Sequence, residues 1–275
     1  MLGLFIAVTM ALCLLSWAEQ IPNGAGLANA GARDGGDLQA GEDPTHSTGY
    51  ICRLISRIKK ATGLIITLSI GERPYEDYRA FKAAGADRYL LKHETVSPEL
   101  YQRLHPDSKY DNRIQCLRWL KSLGYETGAG NMVGLPGQTL KILAEDILLM
   151  HEMDIDMIGI GPFIAHQDTP LAHTVSGEPD TVLKMIAVTR LVTRNTNIPA
   201  TTALAVLDHG LQLKALTAGA NVIMPDITPP RYKELYEIYP GRGKLSCDIS
   251  AVIARWETDL HGIGRRIGRG PGGRR

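Results

Sequence analysis

The sequence predicts an α/β fold of the (β/α)8 TIM-barrel type, incomplete because its first βα unit is missing, with about seven units present. Three observations carry this expectation. Apolar segments of strand length alternate with amphipathic segments of helix length from about Asp37 to Tyr239. Glycine or proline punctuates the alternation, as at Gly85 and Gly124. Polar and glycine residues follow the strands, which is where parallel α/β folds collect ligands. Strands separated by single helices imply parallel pairing through right-handed crossovers. A chain of 275 residues can bury a core without metal or disulfide staples.

Leu2 to Trp17 is a nearly unbroken apolar run, and Ser16-Trp17-Ala18 resembles a small-x-small cleavage site. It reads as a signal peptide without a basic start, and it falls short of the roughly 20 apolar residues of a membrane span. Residues 19–41 are rich in Gly, Ala, Asn and Asp and lack periodicity. Three segments follow: residues 1–36, signal-like and unstructured; 37–245, a partial barrel; and 246–275, a C-terminal helix with a flexible, basic Gly/Arg tail. Loss of the first strand would leave two neighbouring edges unpaired.

The barrel units run in order. A weak strand near Leu38 precedes a helix that contains Cys52. Gly63 to Leu68 reads as a buried strand, Tyr75 to Ala84 as a helix stopped at Gly85, and Arg88 to Leu91 as the next strand. The helix from about Tyr110 to Leu123 repeats Ile114, Leu117, Leu120 and Leu123 at helical spacing. Thr127 to Val133 is a glycine-interrupted strand, Leu140 to Met153 a helix, Met157 to Ile160 a strand and Asp180 to Arg194 a helix. Ile198 to Thr202, the helix Gly210 to Ala218, Asn221 to Met224 and the helix Arg231 to Tyr239 complete the series.

Net charge is +1, so no global electrostatic argument favours nucleic acid or a membrane surface as partner. The four cysteines, Cys13, Cys52, Cys116 and Cys247, form no metal-ligand spacing and no disulfide framework, which argues for reduced thiols. Cys116 fits the apolar rhythm of its helix as a small core residue. No pair of histidines stands at a zinc spacing, and no metal ligand is assigned.

The chemistry collects at the strand ends. Gln39 to Asp43, Ser69 to Glu72, Lys92-His93-Glu94, Gly130 to Thr139, Gly161 to Ile164, Thr201-Thr202 and Met224-Pro225-Asp226 follow successive strands. Lys92-His93-Glu94 reads either as a site wall or as a solvated loop. Gly128, Gly130, Gly134 and Gly137 either admit a ligand to the backbone or make tight turns; their spacing fits neither a phosphate loop nor a dinucleotide fingerprint. Arg113, one turn into its helix, either points to solvent or reaches back to grip a carboxylate.

These residues carry a resemblance. GED at Gly41 to Asp43, TLSIGER at Thr67 to Arg73, DRYLLKHET at Asp87 to Thr95, RLHPD at Arg103 to Asp107, GNMVGLPGQT at Gly130 to Thr139, DMIGIGPFIAHQDTPLA at Asp156 to Ala172, IPATTA at Ile198 to Ala203 and GANVIMPDITP at Gly219 to Pro229 together resemble the radical S-adenosylmethionine maturases of [FeFe] hydrogenase, the HydE family. Biotin and methylornithine synthases are its relatives and provide the alternative reading. The resemblance implies a barrel whose first loop carries Cys-x3-Cys-x2-Cys for a [4Fe–4S] cluster, on which S-adenosylmethionine is cleaved to a 5'-deoxyadenosyl radical. It assigns Gly41, Glu42, Asp43, Thr67, Lys92, Glu94 and Arg113 to S-adenosylmethionine. It assigns Arg88, Thr201, Thr202, Met224, Tyr236 and Tyr239 to an anion or substrate pocket. It further implies a small molecule or small iron complex as substrate, other hydrogenase maturases as partners, and a cytoplasmic setting.

The sequence departs from this pattern because no Cys-x3-Cys-x2-Cys precedes Gly41. The expectation is a truncated or mis-started gene product. The alternatives are a non-catalytic protein that binds S-adenosylmethionine or an anion, and an exported protein.

Overall fold

The computed structural model describes residues 5–6, 8–11, 35–39, 42–225, 240, 249–268 and 272–274. Its strands are β1 (Phe5–Ile6), β2 (Val8–Ala11), β3 (Gly35–Gln39), β4 (Ile65–Ser69), β5 (Arg88–Leu90), β6 (Glu126–Val133), β7 (Met157–Pro162), β8 (Pro199–Ala200) and β9 (Val222–Ile223). Helices α1 (Thr48–Thr62), α2 (Tyr75–Ala84), α3 (Pro98–Leu104), α4 (Tyr110–Ser122), α5 (Leu140–Glu152), α6 (Pro179–Thr193), α7 (Thr202–Leu207), α8 (His209–Ala218) and α9 (Ile249–Gly262) complete the described elements. The helix expected over Arg231 to Tyr239 lies outside the described residues.

Every strand pairing is parallel. One sheet runs β2-β3-β4-β5-β6-β7 and a second runs β1-β9-β8. Two junctions join them. Met157 of β7 bridges Asn197 just before β8, with the Ile158 amide donating to the Asn197 carbonyl at 2.8 Å. β1, paired to β9, is separated by one residue from β2, paired to β3. The hydrogen-bonded neighbours therefore follow one another in a ring.

That ring corrects the expected loss of the first strand. Phe5 and Ile6 pair with Val222 and Ile223, and Val8 to Ala11 pair with Gly36 to Gln39, so part of the apolar run lies in the sheet and covers both edges expected to be bare. A strand covered on both faces and the apolar part of a signal peptide are both short, continuous apolar runs without periodicity.

Helices cover the outer face of the strands. α1 buries Ile51, Leu54, Ile55 and Ile58 at helical spacing; the Ser47 hydroxyl caps its start, and Gly63 ends it at φ +67°. Leu38, Ile66, Leu68, Ala129, Val133, Ile158 and Ile160 meet the helices in one core. Alternation along a strand then turns Asp37, Thr67, Arg88, Glu126 and the glycines of β6 and β7 inward. Helices α3 and α7 occupy stretches expected to be loop and strand end. Both are under two turns, too short for a periodic signal.

The basic tail also departs from expectation. Asn197 donates to the Gly272 carbonyl at 2.8 Å, and the Arg274 Nε donates to Asn195 at 2.9 Å. Residues 272–274 are thus hydrogen-bonded near the starts of β7 and β8, because neighbouring Asp154 and Asp156 offer carboxylates to Arg274. Among the described residues no helix is long and apolar enough to cross a membrane.

Candidate functional site at the strand ends

Successive strands β3, β4 and β5 deliver the rim. After β3, the Glu42 carboxylate accepts from Arg113 Nη2 at 2.6 Å. After β4, Glu72 Oε1 lies 2.8 Å from Arg113 Nε, which also donates to the Tyr101 hydroxyl at 2.9 Å. Tyr101, Ser108 and Asn112 all donate to Glu72. Arg113 is only 4 % exposed, so the alternative of a solvated helix arginine does not hold. Burial opposes its charge, but Glu42, Tyr101 and Glu72 raise its pKa above the ordinary value. The two carboxylates differ: the Glu42 side chain is 48 % exposed and the Glu72 side chain 13 %.

The loop between β4 and α2 is braced from below. The buried Tyr89 hydroxyl donates to the Gly71 carbonyl at 2.8 Å, and Tyr89 stacks edge-on between Tyr78 and Tyr125. Gly71 has φ +78°, and a Cβ there would run into the Glu42 side chain. Glycine is what lets these two strand ends close up. Arg73 donates to the carbonyls of Asp43 and His46, at 2.9 and 3.2 Å, and ties the β3 loop to the β4 loop.

After β5 comes Glu94, at φ +66°. The Thr95 amide donates to the His93 carbonyl at 2.8 Å, which makes Glu94 the centre of a γ-turn of the positive-φ kind. That conformation is rare and strained for a residue with a side chain. Glu94 Oε2 is buried without a hydrogen bond among the described residues, with the Lys92 ammonium 3.8 Å away. The Lys92 stem lies against the open face of Gly159, 3.6 Å from where a Cβ would stand.

Deeper in the barrel the register aligns four inward side chains on neighbouring strands. Asp37 pairs with Thr67, Thr67 with Arg88, and Arg88 with Glu126. Arg88 Nε donates to Glu126 at 2.6 Å. Asp37 is 2 % exposed; one oxygen accepts from Gln39 at 2.7 Å and the other has no hydrogen bond among the described residues. Burial pushes its carboxyl pKa up to about 7, against the lowering effect of Gln39. Above this layer Gly128, Gly130, Gly159 and Gly161 let neighbours close in on β6 and β7: Leu90 and Met157 at Gly128, the Gly159 carbonyl at Gly130, Lys92 at Gly159 and Thr201 at Gly161.

The remaining expected residues scatter. Asp43 spends its carboxylate on the Thr45 amide and hydroxyl, at 2.8 and 2.7 Å, and the Thr45 hydroxyl leads the causes that hold its pKa below the ordinary range. Thr201 stands at the start of α7 with a buried hydroxyl that caps nothing and has no hydrogen-bond partner among the described residues. Thr202 is the first residue of α7, and Met224 lies half-buried just after β9. Gly41, Tyr236 and Tyr239 lie outside the described residues. Sequence reasoning did not select Glu72, Tyr101 or Asp37. Glu72 stood in the strand-end series, and Ser97-Pro98 ahead of Tyr101 is a helix-start signal; for Asp37 no signal existed short of the register.

The two described thiols do not form an iron–sulfur site. Cys116 is buried in α4 against the Arg73 carbonyl, and Cys52 sits on α1. Burial raises the pKa of both. Cys13 and Cys247 lie outside the described residues, and among those described no group of three His, Cys, Asp or Glu could hold a metal ion.

Comparison with known proteins places this arrangement. Residues 37–150 match the Radical SAM superfamily. The chain is 49 % identical over 238 residues to the [FeFe] hydrogenase maturase subunit HydE of Thermotoga maritima, covering 86 % of this chain and 68 % of that protein. It is 31 % identical over 224 residues to the 3-methylornithine synthase of Methanosarcina barkeri, covering 80 % of this chain and 63 % of the synthase. The fold is similar to the crystal structure of a methylornithine synthase, with a TM-score of 0.78, 23 % identity, and coverage of 97 % of this chain and 84 % of that one. The chain therefore spans about two thirds of the length of these curated relatives.

Proposed function

The chain belongs to the radical SAM superfamily, among its HydE-like [FeFe] hydrogenase maturases, and from that premise we propose that it serves hydrogenase maturation through an S-adenosylmethionine site on the rim of its strands. Glu94 is the acceptor for the methionine ammonium. Arg113 and Lys92 take the carboxylate, with half-exposed Glu42 as the partner that Arg113 exchanges for the ligand. Glu72, held by Tyr101, Ser108 and Asn112, stays in place and keeps the guanidinium oriented. Gly41 and Asp43 are assigned to the same ligand by the resemblance, and Thr67 stands one layer down. The observation that carries the reading is the strained Glu94, whose buried carboxylate oxygen lacks a hydrogen bond.

Arg88, Thr201, Thr202 and Met224, with Tyr236 and Tyr239, are proposed for a small anionic substrate such as a small iron complex. Arg88 opposes Glu126, and Lys92 and Thr201 lie against the glycines of β7. The family implies S-adenosylmethionine and a [4Fe–4S] cluster. The rim fits the first. The four cysteines of this sequence do not supply the Cys-x3-Cys-x2-Cys set of the second.

The test has two readouts. Equilibrium dialysis with S-adenosylmethionine should show saturable binding by the full chain. Co-expression with an [FeFe] hydrogenase in a host without its own HydE-type maturase should raise hydrogen evolution. Binding without hydrogen evolution would reject the maturation role and keep the site; absence of binding would reject the site.

A further inference from the structure

Directly behind Glu94 lies a polar cluster that the rim chemistry does not use. The side chains of His93 and Asp146 are both 0 % exposed, and His93 Nε2 is 3.0 Å from Asp146 Oδ1. The second Asp146 oxygen accepts from Asn131 Nδ2 at 2.9 Å, and the same Nδ2 lies 3.5 Å from the Met185 sulfur. A carboxyl group so deeply buried needs hydrogen-bond partners on both oxygens, and here a histidine and an asparagine supply them. His93 Nδ1 has no hydrogen-bond partner among the described residues, which suits the tautomer protonated at Nε2.

His93 and Asn131 are also the backbone neighbours of Glu94. The His93 carbonyl closes the γ-turn by accepting from the Thr95 amide. Asn131 is the residue opposite Glu94 in the β5–β6 extension: the Glu94 amide donates to Gly130 at 3.0 Å, and its carbonyl accepts from Met132 at 3.1 Å. The residues on either side of the strained turn are thus pinned by their side chains to a single carboxylate on α5. A strained backbone persists only where its surroundings over-determine it, and this cluster does so on both strands.

We propose that His93, Asp146 and Asn131 form a buried positioning device that holds Glu94 in its γ-turn and so aims the Glu94 carboxylate at the rim. The inference rests on the reading that Glu94 holds the methionine end of S-adenosylmethionine. Asp146 touches no ligand; it acts through Glu94. Its effect on ligand binding therefore exists only while Glu94 carries its charge.

The experiment is a double-mutant cycle read by isothermal titration of S-adenosylmethionine into the full chain, using the native protein, Asp146→Asn, Glu94→Gln and the double variant. Asp146→Asn should weaken binding about tenfold in the native background and add less than about twofold to Glu94→Gln. Equal losses in both backgrounds, or none, would overturn the proposal, since a general structural role does not depend on the Glu94 charge. A Glu94→Gln protein that binds like the native one rejects instead the reading of the site. In that case the turn itself decides: hydrogen exchange at the Thr95 amide should be about tenfold faster in Asp146→Asn, and unchanged protection would sink the device. Should Asp146→Asn fail to fold, His93→Gln, which keeps a donor toward Asp146, should retain Thr95 protection and ligand affinity that His93→Ala loses. Equal behaviour of those two variants would also overturn it.

Discussion

The two ends of the strands handle charge in opposite ways. At the starts of β6 to β9, carboxylates, amides and cations are matched nearly bond for bond. Lys121 reaches the Asp154 carbonyl at 2.6 Å and Asp156 at 3.1 Å, Asp156 also accepts the Thr127 amide, and Arg274 joins both acids. Asn221 links the Ile198 amide, Arg190 and Asn197, and Asn197 passes the chain of bonds to Gly272. At the opposite ends, Glu94 and Thr201 keep buried oxygens without hydrogen bonds among the described residues. In parallel α/β barrels the lower end carries stability and the upper end chemistry; the matched bonds below and the unbonded Glu94 and Thr201 oxygens above follow that division, with the Thr189 hydroxyl on α6 an exception.

Asp37 is where this contrast breaks most sharply, because an incompletely bonded carboxyl sits in the same layer as the Arg88–Glu126 pair. Its pKa is raised from 3.8 to about 7 in the folded chain. The folded state therefore holds this proton more tightly than the unfolded state, so the contribution is fully present below about pH 4 and lost as the pH rises through about 7. Asp37→Asn should stabilise the protein at pH 8 by about 2–4 kcal/mol and bring no gain at pH 4, measured by urea unfolding at the two pH values. Equal effects at both would show that the carboxyl is not buried as described.

The matched lower end gives the next effect in size. Asn197→Ala removes the acceptor of Asn221 Nδ2 and the side-chain donor to the Gly272 carbonyl, and should cost about 1–3 kcal/mol of stability. Its affinity for S-adenosylmethionine should stay native. Smallest of all, Arg274→Ala should cost under about 1 kcal/mol, since Asp154 is two-thirds exposed and its attraction is screened. The Arg274 hydrogen bond leads the causes that lower the Asp154 pKa, so the difference from the native chain should shrink as the pH falls below about 4. A pH-independent loss would assign the tail's contribution to packing.

Much of the frame was legible in the sequence because its signals are local. The glycine stops at Gly85 and Gly124 and the helical spacing from Ile114 to Leu120 mark α2 and α4 without reference to the rest of the chain. The strand-end series likewise drew attention to Glu42, Glu72, Lys92 and Glu94. What could not be read is what depends on pairing between distant segments. The apolar start becomes β1 and β2 only beside β9 and β3, and the burial of Arg113 depends on Glu42, Glu72 and Tyr101 arriving from three separate elements. Positive φ at Glu94 has no local signal either, since the residue that favours such a backbone is glycine.

The contrast between the two ends reduces to one titration of S-adenosylmethionine into Glu94→Gln and Asn197→Ala at neutral pH. If the upper end carries the ligand, Glu94→Gln should lose about 10- to 100-fold in affinity, the range expected when a charge-assisted hydrogen bond is removed, while Asn197→Ala binds within about twofold of the native chain. Equal losses, or a loss confined to Asn197→Ala, would contradict it.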